Sequence, residues 1–111
     1  MGEVLLGDVD ERALRLCAGL GGGVGATHEE LCGALSGGVL LIGARHGFAP
    51  GEDKRRCYGL AARFRERFVE ALGATRCQDL RDQGYGSDAK PCSLLVEQAA
   101  RILIATLASE A

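Results

Sequence analysis

The chain has 111 residues and a net charge of −2, with 47% hydrophobic residues, 5% aromatic residues and no tryptophan. This length is typical of one domain, so we expect a single domain over residues 1–111 with a core of Leu, Val, Ile and Ala. The slightly acidic charge argues against a nucleic-acid partner. The longest stretch without a charged residue, 31–44, is too short to cross a bilayer, so no membrane insertion is expected. The opening "MGEVLLGDVDER" lacks the features of a signal peptide, and we expect a cytoplasmic protein.

The first predicted helix begins near Asp10, in the segment "DERALRLCAGL". This pattern places Leu14, Cys17 and Ala18 on one face, and acidic residues open it, as is common at helix N-termini. The following segment, "GLGGGVG" at 19–25, is mostly glycine and predicts a loop.

A second helix is predicted from Thr27 to about residue 45. The letters "THEE" form a capping box, in which Thr27 caps the helix and Glu30 reaches back to the amide of the cap. Gly33 and Gly37 lie on one face of this helix, although each glycine inside a helix costs about 1 kcal/mol relative to alanine. This thin face has two interpretations. It packs closely against another helix, including across a homodimer, or it holds a cofactor or a cysteine partner.

Two further long helices and one short segment complete the pattern. The third helix, at about 52–72, is amphipathic, and its apolar stripe consists of Cys57, Leu60, Ala61, Phe64, Phe68 and Leu72. A short helical segment is predicted at 76–82, and a last helix begins at Pro91 with Cys92 in its first turn. No segment alternates as a strand does. The sequence therefore predicts an all-α fold, a small antiparallel bundle of about four helices.

Cysteine is abundant for a chain of this length, with residues at 17, 32, 57, 77 and 92 and no C-x-x-C pair. In a reducing compartment, cysteines are more often buried, metal-binding or reactive than disulfide-bonded. Reactive thiolates are favoured at helix N-termini and beside cations. Cys92 comes shortly after Lys90 at a predicted helix start, and Cys77 lies between two arginines. Cys57 falls on the apolar stripe and is interpreted as a core residue.

The hexamer "CGALSG", residues 32–37, matches the motif C-G-A-x-x-G. It comes after the glycine-rich loop and precedes "ARFRERF", "RCQDL" and "PCSLLVEQAARIL". With these segments the chain, from about Asp10 on, resembles the C-GCAxxG-C-C family of putative redox-active proteins. The resemblance implies that Cys32, Cys77 and Cys92 are the family's cysteines and carry its redox chemistry.

The family pattern has one more cysteine near the N-terminus, shortly before a Val-Leu-like segment. The letters "EVLL" at 3–6 resemble that Val-Leu-like segment. Either the cysteine has been lost from this protein or it lies upstream of Met1. Without it, a four-cysteine site needs Cys17, Cys57, a histidine or a second chain.

We therefore predict a redox-active protein in which Cys32, Cys77 and Cys92 perform thiol–disulfide or electron-transfer chemistry with an unidentified redox partner. The alternative is a metal or iron–sulfur binding module without catalysis of its own, with Cys17 as the further ligand, because such clusters are usually held by four cysteines. Otherwise no cofactor is expected. In a third interpretation the cysteines are simply buried. A homodimer is expected, because the short chain and the glycine face favour one.

Overall fold

The structure is a computed structural model that describes residues 10–109. Its five α-helices are α1 Glu11–Cys17, α2 Gly33–His46, α3 Arg55–Leu72, α4 Cys77–Asp82 and α5 Cys92–Ser109. A 3-10 turn, Ala18–Leu20, comes directly after α1. Residues 10–109 contain no β-strand, apart from one isolated bridge between Leu31 and Arg76. The predicted all-α class is confirmed, and the "EVLL" segment lies outside the described residues.

The core lies where α2, α3 and α5 pack against one another. The amphipathic stripe of α3 faces this core, with Cys57 partly buried against it, and its buried residues are Leu60, Phe64, Phe68 and Leu72. Two of the aromatic rings, those of Phe64 and Phe68, meet edge to face with their centroids 6.1 Å apart. α5 contributes the buried residues Leu95, Ala99, Leu103, Thr106 and Leu107.

Two of the glycines of α2 allow close packing within the chain itself. A Cβ on Gly38 would stand 2.5 Å from Cε2 of Phe64, so this glycine allows the ring to pack on the backbone of α2. Gly33 faces the 3-10 turn, where a Cβ would lie 3.3 Å from the carbonyl oxygen of Leu20. A Cβ on Gly37 would meet nothing within 4 Å. The thin face therefore serves close packing and leaves open space at Gly37, and the expected homodimer stays a prediction.

The second helix begins at Gly33, and the capping box predicted at Thr27 is wrong. The hydroxyl of Thr27 donates instead to two carbonyl oxygens of the glycine-rich loop, at 2.8 and 2.9 Å. His28 has a positive φ of 63°, and its carbonyl oxygen accepts the backbone N–H of Gln78 at 3.0 Å. The segment with the local capping pattern therefore pairs instead with the residues at the start of α4, which are distant in sequence.

The third helix starts later than its sequence pattern predicts and ends where predicted. It begins at Arg55, whose backbone N–H is accepted by the carboxylate of Asp53 at 2.9 Å. It ends at Leu72, and the next residue, Gly73, has the left-handed conformation with φ of 90°. The N–H of Gly73 donates to the carbonyl oxygen of Val69 at 2.7 Å, as in a helix C-terminal cap.

α1 is the most exposed helix. None of its residues is buried, and Leu14 and Leu16 are 57% and 79% exposed. Its last residue, Cys17, is partly buried and leads into the 3-10 turn, which contacts α2. Cys17 and the start of α2 line the same cavity.

α5 is long and apolar enough to cross a membrane by length and composition alone. Core helices of globular proteins meet the same criterion. The buried side chains of α5 pack against α2 and α3, and its exposed face carries an ion pair of 3.0 Å between Glu97 and Arg101. The expectation of no membrane insertion stays a prediction.

Candidate functional site

Three of the cysteines stand at helix starts. Cys32 immediately precedes α2, Cys77 is the first residue of α4, and Cys92 is the first residue of α5. The first N–H groups of a helix have no partner within the helix and favour a negative charge. The backbone N–H groups of Ala34 and Leu35, at the start of α2, accordingly lower the pKa of Cys32.

Backbone pairing brings Cys32 and Cys77 together. The N–H of Cys32 donates to the carbonyl oxygen of Thr75 at 2.8 Å, and the N–H of Cys77 donates to that of Glu30 at 2.9 Å. The isolated bridge lies between these two hydrogen bonds. Two cysteines separated in the sequence by both α2 and α3 therefore flank one antiparallel contact.

The glycine-rich loop makes a left-handed turn against Cys77. Every residue from 22 to 26 has a positive φ, from 59° to 71°. This conformation costs about 1–2 kcal/mol for each residue other than glycine. Gly23 is buried, and a Cβ there would lie 2.7 Å from Cβ of Cys77 and 2.9 Å from Cα of His28. The sequence predicts a loop here. The left-handed conformation of the loop and its contact with Cys77 are seen only in the structure.

The predicted site residues line one cavity of about 370 Å³. Its lining includes every cysteine and glycine that the sequence assigns to the site, namely Cys17, Cys32, Cys77, Cys92, Gly33 and Gly37. Cys57 packs against the core instead. The volume is in the range of small-molecule pockets, about 300–1,000 Å³. The chemical roles of these residues stay predictions.

The cavity cysteines differ in exposure. Cys32 is only 9% exposed, Cys17 and Cys77 are partly buried, and Cys92 is exposed. All five cysteines of the chain are free thiols. The site therefore offers one accessible thiol and others that are progressively enclosed.

The pKa of the buried thiol, Cys32, is shifted from its ordinary value. Burial raises the pKa of Cys32, and the backbone N–H groups of Ala34 and Leu35 partly oppose this effect. Negative charge on Cys77 and on Cys92 raises the pKa of Cys32 further. Cys32 is therefore close enough to both of the other sulfurs to be affected by their charge.

Sequence reasoning does not assign two other lining residues, Arg81 and Tyr85. A Cβ on Gly86 would lie 3.0 Å from Nη1 of Arg81 and 3.7 Å from Sγ of Cys92, so the guanidinium and the sulfur flank the same glycine. Among the described residues, Arg81 forms no ion pair. The i, i+4 spacing of Cys77 and Arg81 on one helix is a signal for Arg81. Tyr85 lies in a loop and gives no such signal.

A preformed site for a single metal ion is absent from residues 10–109. No three His, Cys, Asp or Glu side chains of this part of the chain lie close enough together to hold one. The predicted ligands Cys17, Cys32, Cys77 and Cys92 share the cavity without forming such a group.

A helical domain with several free thiols around one cavity is of the class in which cysteine redox chemistry and thiolate ligation occur. The sequence model of the family described as "Putative redox-active protein (C_GCAxxG_C_C)" matches residues 2–106. The chain therefore belongs to this family, and the expected family resemblance is confirmed. Searches of curated proteins and of solved structures gave no significant match.

Proposed function

We propose that this protein is a thiol–disulfide redox protein whose chemistry is carried by Cys32, Cys77 and Cys92. The observation that carries the proposal is their arrangement: three helix starts, each with a cysteine, meet at one cavity. Cys32 is electrostatically coupled to the other two. Membership of a family described as redox-active supports the same chemistry.

The different exposure of the cysteines supports one order of reaction. Cys92 is the exposed thiol, so its thiolate attacks an external disulfide, forms a mixed disulfide and displaces the first thiolate. Cys32 then loses its proton and attacks Sγ of Cys92, which displaces the second thiolate and leaves a Cys32–Cys92 disulfide. The protein is thereby oxidised by two electrons, and the external disulfide is reduced to two thiols. Cys77 is the second partner available to Cys32.

The electrostatic coupling favours this order. Burial is the main reason that the pKa of Cys32 is raised, and negative charge on Cys92 adds a smaller contribution in the same direction. Formation of the mixed disulfide removes the charge from Cys92. The part of the raised pKa of Cys32 that is due to Cys92 is then lost, which lowers the cost of forming the Cys32 thiolate at the step that needs it.

Disulfide mapping tests the proposal. The fully reduced protein is equilibrated in mixtures of reduced and oxidised glutathione, quenched with an alkylating agent and digested for mass spectrometry. We expect one two-electron transition that joins Cys32 to Cys92 or Cys77. The variant Cys57→Ser is the control and keeps the same transition, because Cys57 packs against the core. A Cys32 thiol that is fully alkylated in every mixture contradicts the proposal.

An iron–sulfur cluster is the second candidate, favoured by the presence of a fourth cysteine, Cys17, on the same cavity. Four thiols match the donor set of such clusters in kind and number. The absence of a close group of three in the described residues shows that the thiols are not gathered for a single ion. When bound, a cluster would supply one-electron transfer, and Cys17, Cys32, Cys77 and Cys92 would hold it.

Cys17 separates the two candidates. Iron and sulfide are measured in protein purified without oxygen, for the wild type and for Cys17→Ser. Thiol–disulfide chemistry predicts metal-free protein and an unchanged disulfide transition in Cys17→Ser. Stoichiometric iron and sulfide that fall in Cys17→Ser would favour the cluster.

A further inference from the structure

The mouth of the cavity combines a nucleophile with a cation. Cys92 is the exposed thiol, and Arg81 is its neighbour across Gly86. Among the described residues that line the cavity, Arg81 is the only one with a positive charge, and none carries a carboxylate. Arg76, which immediately precedes α4, is by contrast paired with Glu29 and Asp79, at 3.6 and 3.3 Å. The guanidinium of Arg81 is thus available to an anion that enters beside Cys92.

Two further observations limit what can enter. The volume of about 370 Å³ suits a small molecule. Apart from the thiols and Arg81, the lining is mostly apolar or glycine, and Tyr85 is held in place by a hydrogen bond from its hydroxyl to Oε1 of Gln98, at 3.3 Å. The ammonium of Lys90 lies 4.8 Å from the centroid of the Tyr85 ring and adds positive charge nearby.

We propose that the cavity takes a low-molecular-weight disulfide that carries a carboxylate, with Cys92 as the attacking thiol and Arg81 as the residue that binds the carboxylate. This inference rests on the thiol–disulfide exchange proposed above and specifies its substrate class. Arginine suits the role because its planar guanidinium binds carboxylates with two parallel hydrogen bonds. Arg81 is therefore a specificity-determining residue.

The reaction balances with the groups named. The thiolate of Cys92 forms a bond to one sulfur of the substrate disulfide, and the other sulfur leaves as a thiolate. Cys32 loses its proton to the solvent, and its thiolate forms a bond to Sγ of Cys92. This breaks the mixed disulfide and releases the remaining half of the substrate as the second thiolate. An external dithiol then reduces the Cys32–Cys92 disulfide and returns both cysteines to thiols. The dithiol itself is oxidised to an intramolecular disulfide.

Three small disulfides of different charge test the inference: 3,3′-dithiodipropionate, which is anionic, 2-hydroxyethyl disulfide, which is neutral, and cystamine, which is cationic. The rate of mixed-disulfide formation at Cys92 is followed by rapid quenching and mass spectrometry. We expect the anionic disulfide to react about fivefold faster than the neutral one, which is the range of an exposed ion pair. Cystamine should react more slowly than both.

Variants separate binding from general reactivity. Arg81→Gln should abolish the preference for the anionic disulfide over the neutral one, and Arg81→Lys should restore part of it. Any effect of Arg81 on the Cys92 thiolate itself changes both rates equally and leaves their ratio alone. Arg101→Gln, which removes an exposed arginine from α5, is the matched control and should keep the wild-type ratio.

The outcomes distinguish this inference from the function on which it rests. Equal rates for the three disulfides, or an unchanged ratio in Arg81→Gln, overturn the substrate class and leave thiol–disulfide exchange intact. Exchange with a protein disulfide but with none of the small ones also overturns it. If Cys92 forms no mixed disulfide with any reagent, the proposed function fails together with the inference.

Discussion

Cys32 combines two features that act in opposite directions on one sulfur. Burial disfavours its thiolate, whereas the N–H groups at the start of α2 favour it. Burial has the larger effect, so the pKa of Cys32 is raised in the folded protein. The residue in the middle of the site is therefore a protonated thiol at neutral pH, next to an exposed cysteine that meets the solvent.

The raised pKa makes the stability of the fold depend on alkaline pH. An unfolded cysteine ionises near pH 8.5, at about its ordinary pKa, before the folded one does. The contribution of Cys32 to stability is therefore complete below that pH and is lost as the pH rises through the higher folded pKa. We expect the free energy of unfolding to fall more steeply, as the pH rises above about 8.5, in the wild type than in Cys32→Ser. Urea unfolding at several pH values measures both slopes.

The control for this experiment is Cys57→Ser, which leaves Cys32 in place and should keep the wild-type slope. The comparison uses slopes, so a constant loss of stability in Cys32→Ser does not affect it. Identical slopes in Cys32→Ser and the wild type would show that the ionisation of Cys32 is not linked to folding.

At the scale of elements, the glycine-rich loop and α4 are fitted to each other. The loop is left-handed over residues 22–26, and Gly23 is enclosed between Cys77 and His28. Gly25 has nearly the same φ, 63°, yet a Cβ there would meet nothing within 4 Å. Gly25 therefore needs only the left-handed backbone, whereas Gly23 needs both that backbone and the space for a close contact.

Alanine substitutions at the two positions should therefore differ. Gly25→Ala carries only the left-handed penalty, and we expect it to destabilise the protein by about 1–2 kcal/mol. Gly23→Ala adds a clash with Cβ of Cys77, and we expect a loss larger by about 1–3 kcal/mol. Denaturant unfolding measures both values, and the alkylation rate of Cys77 should change in Gly23→Ala alone. Equal losses at the two positions would refute the contact with Cys77.

Local patterns predicted the elements well where local forces decide them. The stripe of α3, its end at Gly73 and the start of α5 after Pro91 are explained by periodicity, a glycine cap and a proline. The predicted start of α2 is wrong because the residues after Thr27 pair with the start of α4, which is distant in sequence. The cavity joins parts of four helices, so no local window contains it. Local signals, a helix start and neighbouring cations, favour Cys77 and Cys92 as reactive thiols, whereas Cys32 is assigned through the family resemblance.

At the scale of the whole molecule, the site links distant segments without a covalent bond. A disulfide from Cys32 to Cys77 or Cys92 would enclose the whole of α3, a large part of the core. Cross-links that close long loops stabilise proteins by about 2–4 kcal/mol, mainly by restricting the unfolded chain. The oxidised and reduced forms should therefore differ strongly in stability if the proposed function is right.

Thermal unfolding gives the measurement. We expect the oxidised protein to melt about 10 °C or more above the reduced protein, since 1 kcal/mol shifts Tm by about 4–8 °C in a domain of this size. Cys32→Ser should lose the difference, and Cys57→Ser should keep it. If the oxidised and reduced wild types melt together, no core-spanning disulfide has formed.

The pairing of the segment before α2 with the segment before α4 also has a consequence for biosynthesis. On the ribosome, Cys17, Cys32 and Cys57 emerge first, while the helix starts that bear Cys77 and Cys92 are still to be translated. The thiols that lie together in the finished protein are thus separated in the nascent chain, and the early ones have only one another as neighbours. An oxidant that arrives during translation would join Cys32 to Cys57 or Cys17, whereas one that arrives after release finds Cys32 beside Cys77 and Cys92. If the proposed thiol–disulfide chemistry is right, the time of oxidation, as much as its strength, would therefore decide which disulfide the protein acquires.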